Sequence, residues 1–384
     1  MIILLLFIIA LALSLFYLIL QLDISGLFKF LLVFAEMVAV SQILIRHFKF
    51  PSEMGLVLVK SKRGIQAIEN LARNERFFEF FSDVGSAISY GLLSLVLFKR
   101  KGTVGSTITG LFLLAFLTYL VAPAAFVFLL QILGTQLESK SPLAASAEGS
   151  NLLLLGGSAV LLIGGFFLFT LAGIVFYGGV VFSALVKTIF FGTNVIATTS
   201  PGGTFLLPGV NLPLFEGVIA LSIVMIVHEG AHAVLARLAK VPVLSSGIVI
   251  FGIIPVGAFV EPDEKKLLKV ERGKQTRVLV AGSTSNFITS CVVFIVFIGL
   301  VLGATQLELM QTALAPVLRF IYLTLGLTFA LNFMVGMMNL LPLPLFDGYR
   351  IIDLNIKNKH LVTALMYGTL FFFVLNFVPW LFKG

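Results

Sequence analysis

Long apolar runs recur along the whole chain. A helix needs about 20 apolar residues to cross a hydrocarbon core about 30 Å thick. Runs near that length predict spanning helices at 1–20, 27–46, 79–98, 108–133, 151–173, 174–191, 215–238, 278–303, 313–340 and 361–382. A transmembrane barrel would instead alternate apolar and polar residues over short strands. The pattern therefore predicts an all-α polytopic membrane protein built as a helical transmembrane bundle.

Two segments depart from this pattern. Residues 47–78 form the longest water-compatible stretch, and helical spacing over 64–81 predicts an amphipathic surface helix. Residues 244–264 are apolar but short, rich in glycine and interrupted by Pro255, which predicts a short re-entrant or hairpin element. Irregular backbone is tolerated at membrane depth only where protein or a water-filled cavity shelters it. This segment therefore indicates a wet site nearby.

Composition agrees with the membrane class. Of 384 residues, 59% are hydrophobic and 11% are charged, against about 25% charged in soluble domains. The net charge of +8 comes from basic clusters beside apolar runs, as in cytoplasmic loops. We therefore expect membrane lipid, and no nucleic acid, as a partner. The single cysteine, Cys291, excludes an intramolecular disulfide. Residues 1–20 lack the basic start of a cleavable signal peptide and are interpreted as a permanent span.

The basic clusters also predict an orientation. Arg237 and Lys240, the basic residues of 265–277, and those of 350–359 fall on one face if 278–303 and 313–340 form an out-and-back pair. That face should be cytoplasmic. In the N-terminal half, Arg46 and Lys99–Lys101 also favour the cytoplasm, although 79–98 lies between them. Either 79–98 is re-entrant or interfacial, or the rule fails there.

One predicted span carries the sequence HEGAH, with His228, Glu229 and His232. Residues four apart lie on the same face of a helix, so both imidazoles can hold one metal ion. Glu229 lies beside them and can act on the water of a metal site. Ionisable groups inside a membrane span indicate function by default. The alternative is a pair of core histidines satisfied by hydrogen bonds.

A catalytic zinc site needs a third protein ligand. The sequence NLLPLPLFDGYR near the end of 313–340 offers Asp347, which follows a proline-broken helix end and precedes a turn-permitting Gly348. His232 lies about 12 Å inside the cytoplasmic end of its helix, at 1.5 Å per residue before Lys240. The alternatives are a surface turn aspartate at Asp347 or another third ligand, namely Glu261, Asp263 or Asp353.

HEGAH together with NLLPLPLFDG resembles the site-2 protease family of intramembrane zinc metalloproteases, peptidase family M50, in its archaeal form. The resemblance covers about 205–360, and both motifs are specific. The segments GAFVEPDE (257–264) and AGSTSN (281–286) also resemble the family, more weakly. The chain departs from it at Phe346, where a leucine is usual, and at Ser283, where a proline is frequent. Neither is a ligand position.

The resemblance implies that His228, His232 and Asp347 bind Zn²⁺ and that Glu229 is the catalytic acid and base. It also places Asn339 in the active site, where a helix-packing role is an equal alternative. The implied reaction is hydrolysis of peptide bonds within or next to transmembrane segments of single-span or other membrane proteins, that is, regulated intramembrane proteolysis. The implied location is the cell membrane, with the active site near the cytoplasmic face.

The predicted organisation has three parts. Residues 1–200 form an N-terminal transmembrane region with the cytoplasmic-type amphipathic segment at 47–78, residues 205–360 the metalloprotease core, and residues 361–384 a C-terminal transmembrane helix. Buried charges such as Glu36 and Lys187 are interpreted as bundle-facing or snorkelling side chains. Two other functions remain open: a transporter or metal permease, and a catalytically silent relative that binds membrane partners.

Overall fold

The computed structural model describes residues 2–24, 26–53, 55–98, 104–133, 147–204 and 206–382. The predicted cytoplasmic cluster Lys99–Lys101 lies outside these residues. In chain order the N-terminal elements are α1 (Ile2–Gln21), α2 (Gly26–Phe48), β1 (Ser52–Glu53), β2 (Leu56–Lys60), α3 (Lys62–Leu71), α4 (Glu75–Tyr90) and α5 (Leu93–Leu97). They are followed by α6 (Val104–Phe116), a π-helical turn (Leu117–Val121), α7 (Ala122–Ile132), α8 (Ala147–Phe191) and α9 (Val195–Thr198).

The C-terminal half holds the elements that build the candidate site. They are α10 (Leu214–Leu238), β3 (Val243–Phe251), β4 (Ile254–Pro262), α11 (Glu264–Leu267), α12 (Arg272–Gln306), α13 (Ala315–Met338), α14 (Asp347–Asn355) and α15 (Lys359–Leu375). Short 3₁₀ turns at Leu309–Gln311 and Val378–Leu381 follow α12 and α15. The fold is therefore the predicted helical bundle with one small sheet.

Eight helices of the described residues are long and apolar enough to cross a membrane. They are Ile3–Gln21, Phe28–Phe48, Val104–Ile132, Gly156–Phe191, Leu214–Leu238, Arg272–Gln306, Ala315–Met338 and Lys359–Leu381. The chain is therefore a multi-pass membrane protein. Seven of these correspond to predicted spans one to one, whereas Gly156–Phe191 takes the place of two.

The predicted boundary between the spans 151–173 and 174–191 is misplaced. The helical interval α8 consists of two pieces that meet at Gly165 (φ 57°, ψ −156°), and no break occurs near residue 173. Only glycine adopts this backbone conformation without steric cost. Glycines that keep helical angles are tolerated within helices, so the glycine content alone did not locate the break.

The interval 79–98, for which both a span and a re-entrant or interfacial element were open, is not one continuous helix. The helix α4 ends at Tyr90 because Gly91 adopts φ 54° and ψ −140°, and only the short α5 follows. The backbone N–H of Leu92 donates to the carbonyl of Leu162, 2.9 Å away, on α8. Two broken helices therefore satisfy each other's backbone at this point, which agrees with the re-entrant or interfacial alternative.

The amphipathic stretch 64–81 forms two helices rather than one. α3 ends at Leu71 and α4 begins at Glu75, where the side chain of Asn74 accepts a hydrogen bond from the N–H of Phe77 at 3.2 Å. Asparagine is a favoured N-cap, so a new helix starts there. The side chain of Arg237 on α10 donates to Glu69 at 2.8 Å and ties α3 to the end of α10.

The segment 244–264 forms the hairpin β3–β4, as one of the two predicted alternatives. The strands belong to an antiparallel sheet of order β1-β2-β3-β4, in which β2 pairs with β3 through partners such as Val57 and Ile250. The hairpin turn contains Gly252, with φ 63°. The backbone N–H of Gly252 donates to Ser41 Oγ on α2 at 2.7 Å. The N-terminal region therefore contributes both a strand and a docking helix to this hairpin.

The helix α12 lies at the centre of the bundle and packs against α4, α10 and α13. Phe287 on α12 is fully buried, and its ring lies 5.0 Å from that of Phe166 on α8. Phe294 on the same helix lies 5.4 Å from Phe329 on α13. This aromatic core fixes α12 against α8 and α13 and leaves its first half to face the histidines of α10.

Candidate active site

Three side chains from two distant parts of the sequence converge at one point. Nε2 of His232 lies 3.2 Å from Nε2 of His228 and 3.1 Å from Oδ2 of Asp347. Nε2 of His228 lies 3.2 Å from the same carboxylate oxygen. Within the described part of the chain, this is the one group of three histidine, cysteine or acidic residues placed to hold a metal ion. The geometry brings together the three predicted ligands; that they bind metal stays a prediction.

The helix α10 places its two histidines by simple periodicity. His228 and His232 are four residues apart, so their rings lie one above the other, with centroids 4.8 Å apart. His228 is 5% exposed and His232 is half-buried. Glu229 is also half-buried and lies about 60° around the helix from His232. The acid therefore shares the side of the helix that carries the donors.

Asp347 reaches the histidines because α13 ends before it. Pro342 and Pro344 exclude a continuing helix, and the chain turns back so that α14 begins at Asp347. The N–H of Gly348 donates to the carbonyl of Asn339 at 2.8 Å. A Cβ at Gly348 would lie 2.0 Å from the carbonyl oxygen of Leu340. Only glycine therefore allows this close approach next to the ligand.

Residues of α12 lie within hydrogen-bond distance of the Nδ1 atom of each imidazole. Nδ1 of His232 lies 2.7 Å from the carbonyl oxygen of Val278, and Nδ1 of His228 lies 3.0 Å from the amide of Asn286. A histidine that donates from Nδ1 to a carbonyl presents the lone pair of Nε2 to a metal. The Val278 contact therefore directs Nε2 of His232 towards Asp347.

Gly282 makes room for the two rings. A Cβ at this position would lie 2.4 Å from Nε2 of His232 and 2.5 Å from Nε2 of His228. Gly282 lies midway between Val278 and Asn286, at intervals of four residues, so all three share one face of α12. That face forms a backing for the donor atoms, and we refer to Val278, Gly282 and Asn286 as the α12 stripe.

The donor set suits a zinc ion. Donors at 2.0–2.1 Å from a tetrahedral zinc are about 3.3 Å from one another, close to the 3.1–3.2 Å separations of these three atoms. Two neutral imidazoles and one carboxylate are a usual set for a catalytic site, which leaves a fourth position open. The residues present therefore fit the metal that the sequence predicts.

The electrostatics of Asp347 agree with a ligand role. Burial alone would raise the pKa of its carboxyl, but the charge of the adjacent His232 and His228 imidazoles when they are protonated, and their hydrogen bonds to the carboxylate, outweigh burial and hold that pKa below its usual range. Asp347 is therefore an anion, which is the form that binds a cation.

The predicted catalytic residues lie beside the donors. The side-chain amide of Asn339, at the end of α13, lies 3.5 Å from Nε2 of His228. Glu229 directly follows His228 in α10 and is half-buried. Both side chains are therefore close to the donor group, and their catalytic roles stay predictions.

The rival third ligands lie elsewhere and have other partners. Glu261 accepts from Ser245 Oγ at 2.5 Å, Asp263 caps α11 by accepting from the N–H of Lys266, and Asp353 accepts from Lys359 Nζ at 2.5 Å. None of the three belongs to the group formed by His228, His232 and Asp347.

The α12 stripe is the part of the site that the sequence motifs do not predict. Its signal in the sequence is the segment AGSTSN, which contains Gly282 and Asn286 and resembles the family only weakly. The four-residue spacing of Val278, Gly282 and Asn286 matches that of the two histidines. Nothing in α12 alone, however, indicates that it packs against α10.

Comparison with known proteins gave one match. Residues 216–377 match the model of a family described as "Peptidase family M50", and this interval runs from the first turn of α10 past the end of α15 and includes all three donors. No curated protein and no solved structure matches the chain.

Proposed function

We propose, since residues 216–377 belong to peptidase family M50, that this chain is a zinc-dependent protease which cuts peptide bonds within or next to transmembrane segments of other membrane proteins. M50 is a family of metallopeptidases, so the chain is a membrane-embedded metalloprotease in general terms. The zinc, the substrate class and the residue roles are proposals. The convergence of His228, His232 and Asp347 is the observation that carries them.

The side chains divide the proposed reaction between them. His228, His232 and Asp347 would hold the zinc ion, which supplies Lewis acidity and activates water at neutral pH. The oxygen of the attacking water bonds to the scissile carbonyl carbon, and Glu229 accepts a proton from that water. Glu229 then passes that proton to the amide nitrogen as the C–N bond breaks. The products are a new carboxylate and a new amine.

Asn339 would orient the substrate. Its side-chain amide lies 3.5 Å from Nε2 of His228 and can donate to an oxygen at the reacting carbonyl. Helix packing remains the alternative role. Loss of turnover with unchanged zinc binding in Asn339→Ala would support the substrate role. Full turnover in that variant would leave helix packing as the only role of Asn339.

The strand β4 offers a place for an extended substrate. Among the described residues β4 has a strand partner, β3, on one edge only, and α10 packs beside it. A substrate strand would add to the other edge of β4. A Cβ at Gly257 on β4 would lie 3.1 Å from Cε of Met225 on α10. Met225 lies one helical turn before Glu229, so this part of β4 runs close to the proposed acid and base. A substrate strand on β4 would therefore pass the donors.

Substrate helices must unwind before they are cut. A peptide bond in an intact transmembrane helix has its polar groups hydrogen-bonded within the helix and cannot pair with a strand. We expect substrates to carry glycine, proline or other helix-weakening residues near the cut. Efficient cleavage inside a helix of leucine alone would contradict this expectation.

The site is proposed to open to the cytoplasm. Arg237 and Lys240 end α10, and a basic cluster at 265–277 leads into α12. Labelling of a cysteine introduced at Lys240 would test this in intact cells, in a Cys291→Ala background. Labelling by an impermeant reagent only after lysis agrees with the proposal, and labelling before lysis contradicts it.

The decisive experiment is cleavage of a tagged single-span substrate by purified protein in liposomes. The wild type and Glu229→Gln are compared, each with and without a zinc chelator. Cleavage by the wild type alone, lost with chelator and restored by zinc, is the expected result. Cleavage that survives Glu229→Gln would overturn the mechanism. Zinc binding without cleavage of any helix-weakened substrate would favour a catalytically silent membrane protein.

A further inference from the structure

The helix α12 packs against α10 on one face and against α4 on another. The α12 stripe faces the histidines of α10, as described above. The adjoining face packs against α4, which precedes the family-matched residues 216–377 by more than a hundred positions. Any movement of α4 against α12 would therefore act on the helix that orients both imidazoles.

An ion cluster joins α4 to the first turns of α12. Arg277 donates from Nε to Oδ1 of Asp83 at 3.1 Å and from Nη2 to Oδ2 at 3.2 Å, which is a bidentate contact. Its Nη1 donates to Glu79, one turn earlier on α4. The side chains of Arg277 and Asp83 are 24% and 11% exposed. Contacts so sheltered from solvent are less screened than surface ion pairs.

The same interface is closed by direct packing. Ser82 Oγ donates to the backbone carbonyl of Arg277 at 3.2 Å. Gly85 faces the buried Thr284, and a Cβ at Gly85 would lie 1.6 Å from Thr284 Oγ1. The two helices therefore meet without space for a side chain, and α12 cannot slide along α4.

Arg277 immediately precedes Val278 in the chain. The Val278 carbonyl is the acceptor that orients His232, at 2.7 Å from Nδ1. Fixing the Arg277 side chain, and the carbonyl of the same residue, on α4 fixes the peptide that leads into Val278. Outer contacts of this kind orient metal-binding histidines and set their affinity.

We propose that Arg277, clamped by Glu79 and Asp83, is a positioning residue for the metal centre. The first half of α4 is then a structural part of that centre although it lies outside the family-matched residues. The inference rests on the proposed zinc site, and it is tested by metal binding rather than by proteolysis.

The test compares Arg277→Gln and Asp83→Asn with the wild type as metal-free protein in detergent. Zinc affinity is measured by competition with a chromophoric chelator, and the site geometry by the visible spectrum of Co²⁺ bound in place of zinc. We expect each variant to bind zinc about tenfold more weakly and to show an altered Co²⁺ spectrum. The double variant should lose little more than either single one, because both remove the same contact.

Two control variants separate positioning from general destabilisation. Lys359→Gln removes an ion pair with Asp353 at 2.5 Å that does not involve α12. Gly178→Ala places a Cβ 2.9 Å from the Phe372 carbonyl between α8 and α15. Both should keep the wild-type Co²⁺ spectrum, even where Gly178→Ala lowers the melting temperature. If Arg277→Gln fails to fold, the positioning role is tested by the zinc affinity and Co²⁺ spectrum of Asp83→Asn alone.

The outcomes distinguish the two proposals. A wild type that binds neither Zn²⁺ nor Co²⁺ would refute the proposed function itself. A wild type that binds both ions, with unchanged affinity and spectrum in Asp83→Asn and Arg277→Gln, would refute only the positioning role. A spectral change of equal size in Gly178→Ala would also refute it.

Discussion

The side-chain amide of Asn286 lies 3.0 Å from Nδ1 of His228, and the Oδ1 atom of the same amide is buried without a hydrogen-bond partner. The nitrogen and oxygen of an amide exchange places by a half-turn of the side chain. With Oδ1 turned towards His228, the oxygen accepts from Nδ1–H, and the lone pair of Nε2 then faces Asp347 and His232. The unpartnered oxygen therefore indicates how Asn286 selects the metal-binding tautomer.

Replacement of Asn286 should separate the acceptor from the shape of the side chain. Asn286→Leu removes the acceptor, so zinc affinity should fall about 10- to 100-fold. Asn286→Asp keeps an oxygen that can accept from Nδ1–H and should remain much closer to wild type. Zinc competition titrations of the metal-free proteins measure both. Equal affinities for Asn286→Leu and the wild type would show that Asn286 does not orient His228.

Removal of the Asp347 charge should abolish tight metal binding. Asp347→Asn keeps the size of the side chain but loses the anion that lies 3.1–3.2 Å from both imidazole nitrogens. We expect the zinc content after dialysis to fall from one ion per chain to near zero. The matched control is Asp353→Asn, six residues later, whose carboxylate pairs with Lys359 outside the donor group. Full zinc content in Asp347→Asn would assign the third ligand elsewhere.

Two glycines close to HEGAH, one facing the imidazoles and one facing open space, should respond oppositely to alanine. A Cβ at Gly282 would lie within 2.5 Å of both imidazoles, so Gly282→Ala should displace a ring and lose zinc binding. Gly230, inside HEGAH itself, has no atom within 4 Å of a built Cβ. Gly230→Ala should bind zinc normally and gain up to about 1 kcal/mol of helix stability. Zinc content and thermal melting check the pair, and tight zinc binding by Gly282→Ala would contradict the described packing.

The hairpin turn should be sensitive without affecting the metal. Gly252 has φ 63°, and a Cβ there would lie 2.4 Å from Sδ of Met37. Gly252→Ala should therefore loosen β3–β4 from α2 and raise KM for a single-span substrate, while zinc affinity stays unchanged.

Ser41→Ala is the milder companion of Gly252→Ala. It removes the acceptor of the Gly252 N–H at 2.7 Å and should act in the same direction with a smaller effect. Cleavage kinetics in liposomes measure both variants. A loss of zinc affinity in either would place the effect at the donors instead of the hairpin.

Much of the fold and the three donor residues could be predicted from the sequence. Apolar run length locates helices because the bilayer has a fixed thickness, and HEGAH lies on one helix whose periodicity is known in advance. Asp347 was identified because the proline-broken end of α13 and Gly348 constrain the backbone locally. These features depend on neighbouring residues, so they can be predicted without the tertiary structure.

Other features depend on contacts between distant segments. The bend of α8 at Gly165 arises where its backbone meets Gly91 and Leu92, and glycines elsewhere in α8 keep helical angles. The pairing of Val57 with Ile250 joins residues almost two hundred positions apart. The α12 stripe acquires its role only once α12 lies against α10. None of these contacts leaves a periodic signal in the sequence.

The strand β2 covers the edge of β3 that would otherwise be exposed. A shortened chain that keeps only the family-matched residues would lack β1 and β2, and the long edge of β3 that β2 covers would be open. Unprotected edges pair with each other between molecules. A trimmed enzyme made for crystallisation or screening should therefore self-associate through β3, and restoring residues 52–60 as a linked peptide should return it to a single species.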